Sequence, residues 1–265
     1  MELKGKTAII TGSSGFLGSN IAIALGRAGC NCVCHYNKNK QKAEFAAGQI
    51  MNTGAKAITV QADLTDENQI EKLFEQANKI GTPQILINSA AVFSRQPVSE
   101  INGELAQKIM NINLITPILT SRIFAEKLLD GLLFEPRATP ARRSFSEGGS
   151  RESRAVVGKI INIADVCGLR PWANYVLYCS SKAALIAATK ALAKELAPAI
   201  CVNAVAPGIV SWPENFDKEK KGMQLVMIPL KRIAKPEEVA AAILSLLEND
   251  YITGQVLCID GGKSI

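Results

Sequence analysis

Residues 6–18 read KTAIITGSSGFLG, and this stretch decides the fold. Lys6 to Thr11 is a short continuous apolar run, as expected of a strand buried on both faces of a parallel sheet. A glycine-bearing turn follows, then a helix expected from about Gly18 to Gly29. Glycines there let the backbone approach a pyrophosphate, and the helix N-terminus offers unsatisfied N–H groups and a positive dipole end. Strand, glycine turn and helix in that order open a dinucleotide-binding α/β unit.

The same alternation continues outward. Strands are expected at Asn31–Tyr36, Ala57–Gln61, Gln84–Asn88, Lys159–Ala164, Cys201–Ala206 and Gln255–Ile259. Helices are expected at Gln41–Asn52, Asp66–Lys79, Glu104–Leu129 with a bend at Pro117, Tyr175–Leu196, and from Pro236 to about Leu247. Repeated right-handed β-α-β units give a doubly wound parallel sheet with helices on both faces. One domain over residues 1–265 is expected, without an internal repeat. Residues 131–157 break the rhythm: Arg137, Arg142, Arg143, Arg151 and Arg154 stand among prolines, serines and glycines. That stretch reads as an insertion, either a solvated excursion or a partner or substrate loop.

Composition narrows the function classes. The chain is 48% hydrophobic and 20% charged, and no apolar run approaches the roughly 18 residues that span a bilayer. The N-terminal Met-Glu-Leu-Lys-Gly-Lys lacks the apolar core of a signal peptide, so a cytoplasmic protein without a membrane partner is expected. The net charge of +6 forms no basic stripe, which argues against nucleic acid. Cys30, Cys32 and Cys34 alternate onto one face of a strand and read as small buried hydrophobes rather than as metal or redox groups. His35 is the only histidine, which disposes of most histidine-based metal sites and of any Ser-His-Asp triad elsewhere; no metal is expected.

The end of the second strand speaks to the cofactor. An acidic residue there would bond ribose hydroxyls and repel a 2′-phosphate. The sequence instead reads His35-Tyr36-Asn37-Lys38-Asn39, so NADP(H) is expected, with Lys38 facing the phosphate. Asp63, beside Leu64 just past the third strand, is either an acceptor for the adenine amino group or a cap before Asp66. Tyr178 and Lys182 are spaced by four on the long helix, which puts both on one face. A tyrosine of ordinary pKa near 10 is a poor acid-base group, and a nearby ammonium favours its phenolate.

Taken together these motifs resemble the short-chain dehydrogenases/reductases along nearly the whole chain. The residues that carry the resemblance are Thr11-Gly12…Gly18, Asp63, Asn88-Ser89-Ala90, Asn113, Tyr178…Lys182, Val202 to Gly208, Thr253-Gly254-Gln255 and Asp260-Gly261-Gly262. The resemblance implies a seven-stranded Rossmann-type sheet, hydride transfer from a nicotinamide, and a dimer or tetramer. It makes Tyr178 the proton donor, has Lys182 hold the ribose and lower the tyrosine pKa, and gives Asn113 the relay water. Gly12, Ser14, Phe16 and Leu17 would meet the cofactor at the turn. His35 to Lys38, with Asp63 and Leu64, would meet it at the adenosine end. Asn88, Ser89, Ala90, Pro207 and Gly208 would line it further along.

Three departures from the family pattern matter. Asp165 stands thirteen residues before Tyr178, where the family commonly has serine. A hydroxyl can donate to a carbonyl, whereas an ionised carboxylate only accepts, so Asp165 suits a substrate that presents N–H groups or needs a proton at nitrogen. Pteridine reductases of this family are similar here, and also in Phe93, where an aromatic ring stacks on the pterin, in the Pro207-to-Glu214 segment with Trp212, and in an arginine-bearing insertion. Simple core packing is the other reading of Phe93. Phe16, the second departure, stands where those enzymes have arginine and where the ordinary motif has its middle glycine. Third, Asn88-Ser89-Ala90-Ala91 replaces the usual Asn-Asn-Ala-Gly. The expectation is NADPH-dependent reduction of a pterin or dihydropterin C=N bond. Its alternatives are a 3-oxoacyl-[acyl-carrier-protein] reductase that docks an acidic carrier protein, or another ketone reductase, and a weakly catalytic NADP sensor.

Overall fold

The computed structural model describes residues 1–129, 156–212 and 217–265. The insertion expected over 131–157 lies, but for its last two residues, outside them. Seven parallel strands form one sheet: β1 (Thr7–Ile10), β2 (Asn31–Tyr36), β3 (Ala57–Gln61), β4 (Pro83–Asn88), β5 (Gly158–Ile163), β6 (Ile200–Pro207) and β7 (Val256–Ile259). Their order is β3-β2-β1-β4-β5-β6-β7. Central β1 pairs with both β2 and β4, placing Ile9 opposite Val33 and Leu86. Winding reverses between β1 and β4, and the crevice beyond the carboxyl ends of these strands is where such sheets bind ligands.

Side chains alternate across the sheet, so each strand feeds two cores. Ile10, Ile87 and Ile161 pack on one face with Ile21, Leu25 and Ile50, from α1 (Phe16–Arg27) and α2 (Lys40–Met51). Ile9, Leu86 and Ile160 pack on the other with Phe74 and Phe124, from α3 (Glu67–Ala77) and α5 (Thr116–Leu129). Burial on both faces is why the strands read as unbroken apolar runs. Cys30, Cys32 and Cys34 sit fully buried in the first core, and burial pushes the Cys30 thiol up to about 11 and the Cys34 thiol to about 12. They are packing residues. Asp66 caps α3, its carboxylate accepting from the Asn68 N–H at 3.0 Å.

Two helical expectations are corrected. The run Glu104–Leu129 is not one helix bent at Pro117. It is α4 (Gly103–Met110), a wide π turn over Asn111–Ile115, and then α5, whose second residue is Pro117. Proline is tolerated in a first helical turn, so the break falls earlier, where tertiary bonds to Asn113 compete with helix geometry. A further helix, α7 (Lys218–Val226), was not expected; it buries no residue. The remaining helices are α6 (Val176–Leu196) and α8 (Pro236–Glu248). By length and composition α6 is apolar enough to cross a bilayer. It instead packs against the sheet, burying Leu185, Ile186 and Thr189.

Candidate active site

Gly12 adopts φ +70°, and a Cβ there would come within 2.8 Å of Ala90 Cα. A Cβ on Gly18 would lie 2.4 Å from the Gly12 carbonyl oxygen. Both positions therefore require glycine for a turn this close. α1 starts at Phe16 with no side-chain cap and no acid in its first turn, so its N–H groups remain available to an anion. Thr11 Oγ1 accepts from the N–H groups of Ser89 and Ala90, fixing the turn to the end of β4.

Not every residue expected at the cofactor faces the cleft. Gly12, Phe16, Leu17, Ser89, Pro207 and Gly208 line a cavity of about 720 Å³, while Ser14 and Ala90 are half-buried in the adjoining turns. Tyr36 is half-buried and Asn37 and Lys38 are exposed at the end of β2. His35 stands back. Its ring is buried, Nδ1 accepts from the Gly12 N–H at 3.0 Å, and Nε2 lies 3.0 Å from the Ala62 carbonyl. Those partners define an Nε2–H tautomer, and burial holds the imidazole pKa below its usual value. His35 thus supports the glycine turn from beneath. Leu64 is buried in the core. The Asn88 amide is taken up by Asn162, Ser121 and Thr120. Asp63 accepts from the Thr65 N–H and hydroxyl, which hold its carboxyl below the usual range.

The catalytic candidates converge. β5 ends beside Asp165, and α6 brings Tyr178 and Lys182 to it on one face. The Tyr178 hydroxyl donates to Asp165 Oδ2 at 2.9 Å, and Asp165 Oδ1 accepts from the Cys167 N–H at 2.8 Å. Lys182 Nζ donates to the Ile163 carbonyl at 2.8 Å and lies 5.8 Å from the centre of the Tyr178 ring. Burial, with Asp165 beside it, pushes the Tyr178 hydroxyl well above its ordinary value. Burial also raises Asp165 and lowers Lys182 to about 8. Tyr178 is held protonated. Asn113 is buried, its Oδ1 accepting from the Val92 N–H and its Nδ2 donating to Val92 O and Ser181 Oγ. Those bonds tie the turn between α4 and α5 to the site.

Aromatic rings wall the rest of the cleft. Phe93 is 53% exposed, which rules out core packing; it stacks on Tyr175 at 5.3 Å and meets Tyr178 edge-on at 4.8 Å. Trp212 is half-buried in the cleft wall. Among the cleft residues that escaped the sequence reading are Trp172, Tyr175 and Lys263. The first two lie in the segment leading to Tyr178, where their aromatic character was the available signal. Lys263 follows the Asp260-Gly261-Gly262 turn and carried none.

Comparison with known proteins agrees with this arrangement. The short chain dehydrogenase model matches residues 6–132, and the enoyl-(acyl carrier protein) reductase model of the same group matches residues 147–264. The chain is 31% identical to 3beta-hydroxysteroid dehydrogenase 1 of Eggerthella lenta over 272 residues, covering 100% of this chain and 95% of that one. It is 30% identical to a 3-oxoacyl-[acyl-carrier-protein] reductase of Synechocystis over 267 residues, covering 98% and 97%. Among solved structures, FolM alternative dihydrofolate reductase 1 from Brucella canis, complexed with NADP, superposes with a TM-score of 0.83 at 28% identity, covering 99% and 95%. With its sheet order, glycine turn and Tyr178–Lys182 pair, the chain belongs to the short-chain dehydrogenase/reductase family, an oxidoreductase.

Proposed function

We propose that this enzyme uses NADPH to reduce a C=N bond in a pterin or dihydropterin ring. The observation that carries the reading is the hydrogen bond from Tyr178 to Asp165. A carboxyl group beside the proton donor can accept from ring N–H groups, which a serine hydroxyl does less well. Phe93, exposed and edge-on to Tyr178, offers a face on which a flat ring can stack. The likeness to the FolM structure points the same way.

The glycine turn and the uncapped start of α1 fit a dinucleotide pyrophosphate. The carboxylate-free end of β2 fits a 2′-phosphate, with Lys38 as its cation. Lys182 would hold the nicotinamide ribose with the N–H groups not given to Ile163. When bound, NADPH supplies the hydride. Tyr178 then gives its proton to the ring nitrogen, and the carboxyl proton of Asp165, favoured by burial, moves onto the departing phenolate. Carbon gains a hydride and nitrogen a proton, so the step balances. We further propose that the chain acts in the cytoplasm as a homo-oligomer; Tyr251 and Leu257, exposed at and beside edge strand β7, give apolar surface for such an assembly.

Lys38→Ala is expected to weaken NADPH roughly tenfold, the order of one charge-assisted contact. NADH affinity should stay unchanged, as read by fluorescence titration. Equal affinity of the wild type for both cofactors would contradict the assignment.

The Synechocystis relative favours a second reading, reduction of a 3-oxoacyl thioester presented by acyl carrier protein. NADPH oxidation with 7,8-dihydrobiopterin, 7,8-dihydrofolate and an acetoacetyl thioester separates the two. Turnover of the dihydropterins is expected. Turnover of the thioester alone would establish the second reading, and no turnover of any would leave the cofactor-sensing one.

A further inference from the structure

Lys263 enters the cleft from a built turn. Gly261 and Gly262 both adopt positive φ, +63° and +88°, a pair of left-handed residues that only glycine takes without strain. The chain is thereby turned so that Lys263 becomes 9% exposed, with its ammonium 5.5 Å from the centre of the Trp172 ring. Nζ donates to Gln224 Oε1 of α7 at 2.7 Å. Among the described residues no carboxylate lies within ion-pairing distance of it. The Asp260 carboxylate is engaged by the N–H groups of Gly262 and Ser264.

An ammonium has three N–H donors and no acceptor. One goes to Gln224, so two remain for the cleft. Burying a cation against one neutral amide and a ring face is unfavourable without further compensation. Asp165 acts on Lys263 electrostatically, yet the two are not in contact. Asp165 is an acceptor and Lys263 a donor in one cavity, so a group that meets both must offer a donor to the first and an acceptor to the second.

We propose that Lys263 is a substrate-recognition residue, and that Lys263 and Asp165 together select a ring in which an N–H and a C=O are neighbours, a lactam. The N–H donates to Asp165, whose oxygens keep second lone pairs, and the carbonyl oxygen accepts from Lys263. This rests on the proposed reduction of a nitrogen heterocycle and specifies which edge of the ring enters.

The test exchanges the acceptor for a donor. Binding of pterin, which carries a 4-oxo group, and of 2,4-diaminopteridine, which carries an amine there, is measured by calorimetry on the enzyme saturated with NADP+. Lys263→Gln and Lys263→Glu are compared with wild type, and NADP+ affinity serves as the check of folding. The ratio of the two affinities is expected to shift toward the diamino compound by about 10-fold or more in K263E, the scale of a hydrogen bond to a charged group. K263Q should shift it in the same direction by less. If both variants keep the wild-type ratio, or lose both ligands equally, the inference is overturned while the proposed function stands. Wild-type enzyme that binds neither pteridine overturns the proposed function and this inference with it.

Discussion

Tyr178→Phe is expected to lower kcat by about 10²–10⁴-fold, the range for loss of a positioned general acid. NADPH affinity and the melting profile should stay near those of the wild type. The hydroxyl donates one hydrogen bond, to Asp165 Oδ2, and the ring contacts with Phe93 and Lys182 survive in phenylalanine. The stability loss is therefore that of one hydrogen bond, about 1 kcal/mol. Steady-state kinetics with 7,8-dihydrobiopterin, with a fluorescence titration of NADPH, checks both halves. A kcat within a few-fold of wild type would remove Tyr178 from the proton path.

Lys182→Met is expected to cost at least about 10²-fold in kcat/KM and also to change how stability depends on pH. Burial lowers the Lys182 pKa from 10.5 to about 8. A lysine depressed on folding leaves the unfolded chain with more protons between those two values, so stability rises with pH there. The cost of burying the charge is complete below pH 8 and is relieved as pH rises toward 10.5. Wild-type enzyme should accordingly gain on K182M across that window, by up to about 3 kcal/mol for a shift of this size. Thermal melts of both proteins at pH 7, 9 and 10.5 read the difference. In the free enzyme the same titration predicts that kcat/KM falls as pH passes about 8, because Lys182 then loses the charge that holds the ribose. A constant stability difference across the window would contradict a buried, charged Lys182.

Most of the sheet was legible because parallel strands buried on both faces are apolar runs bounded by turns. Ile85–Ile87 and Ile160–Ile163 announce themselves in this way. The π turn at Asn111–Ile115 was not legible, since what breaks the helix is the bonding of Asn113 to Val92 and Ser181, contacts made only in the fold. α7 escaped because it is short, rich in lysine and buries no residue. At the site, the spacing of four placed Tyr178 and Lys182 together correctly, but their electrostatics could not be read from spacing. Lys182 spends a donor on the Ile163 carbonyl, and burial with Asp165 beside it raises the phenol. His35 looked like a cofactor residue from its place at the end of β2. Its two ring partners, Gly12 and Ala62, come from neighbouring connections and were invisible in one dimension. Asp165 was the exception: thirteen residues before the tyrosine, it was legible as a departure and stands in contact with Tyr178.

That contact is the centre of the functional reading, and Asp165→Ser tests it most directly. A serine hydroxyl can donate to a carbonyl oxygen, yet it supplies neither a carboxyl proton nor a carboxyl C=O acceptor for ring N–H groups. The measurement is the ratio of kcat/KM for 7,8-dihydrobiopterin to that for an acetoacetyl thioester, at saturating NADPH, in wild type and in D165S. A carboxyl-assisted proton delivery to nitrogen requires that ratio to fall by about 10²-fold or more in D165S, the scale of a lost general-acid contribution. A ratio that stays the same or rises in D165S would contradict it.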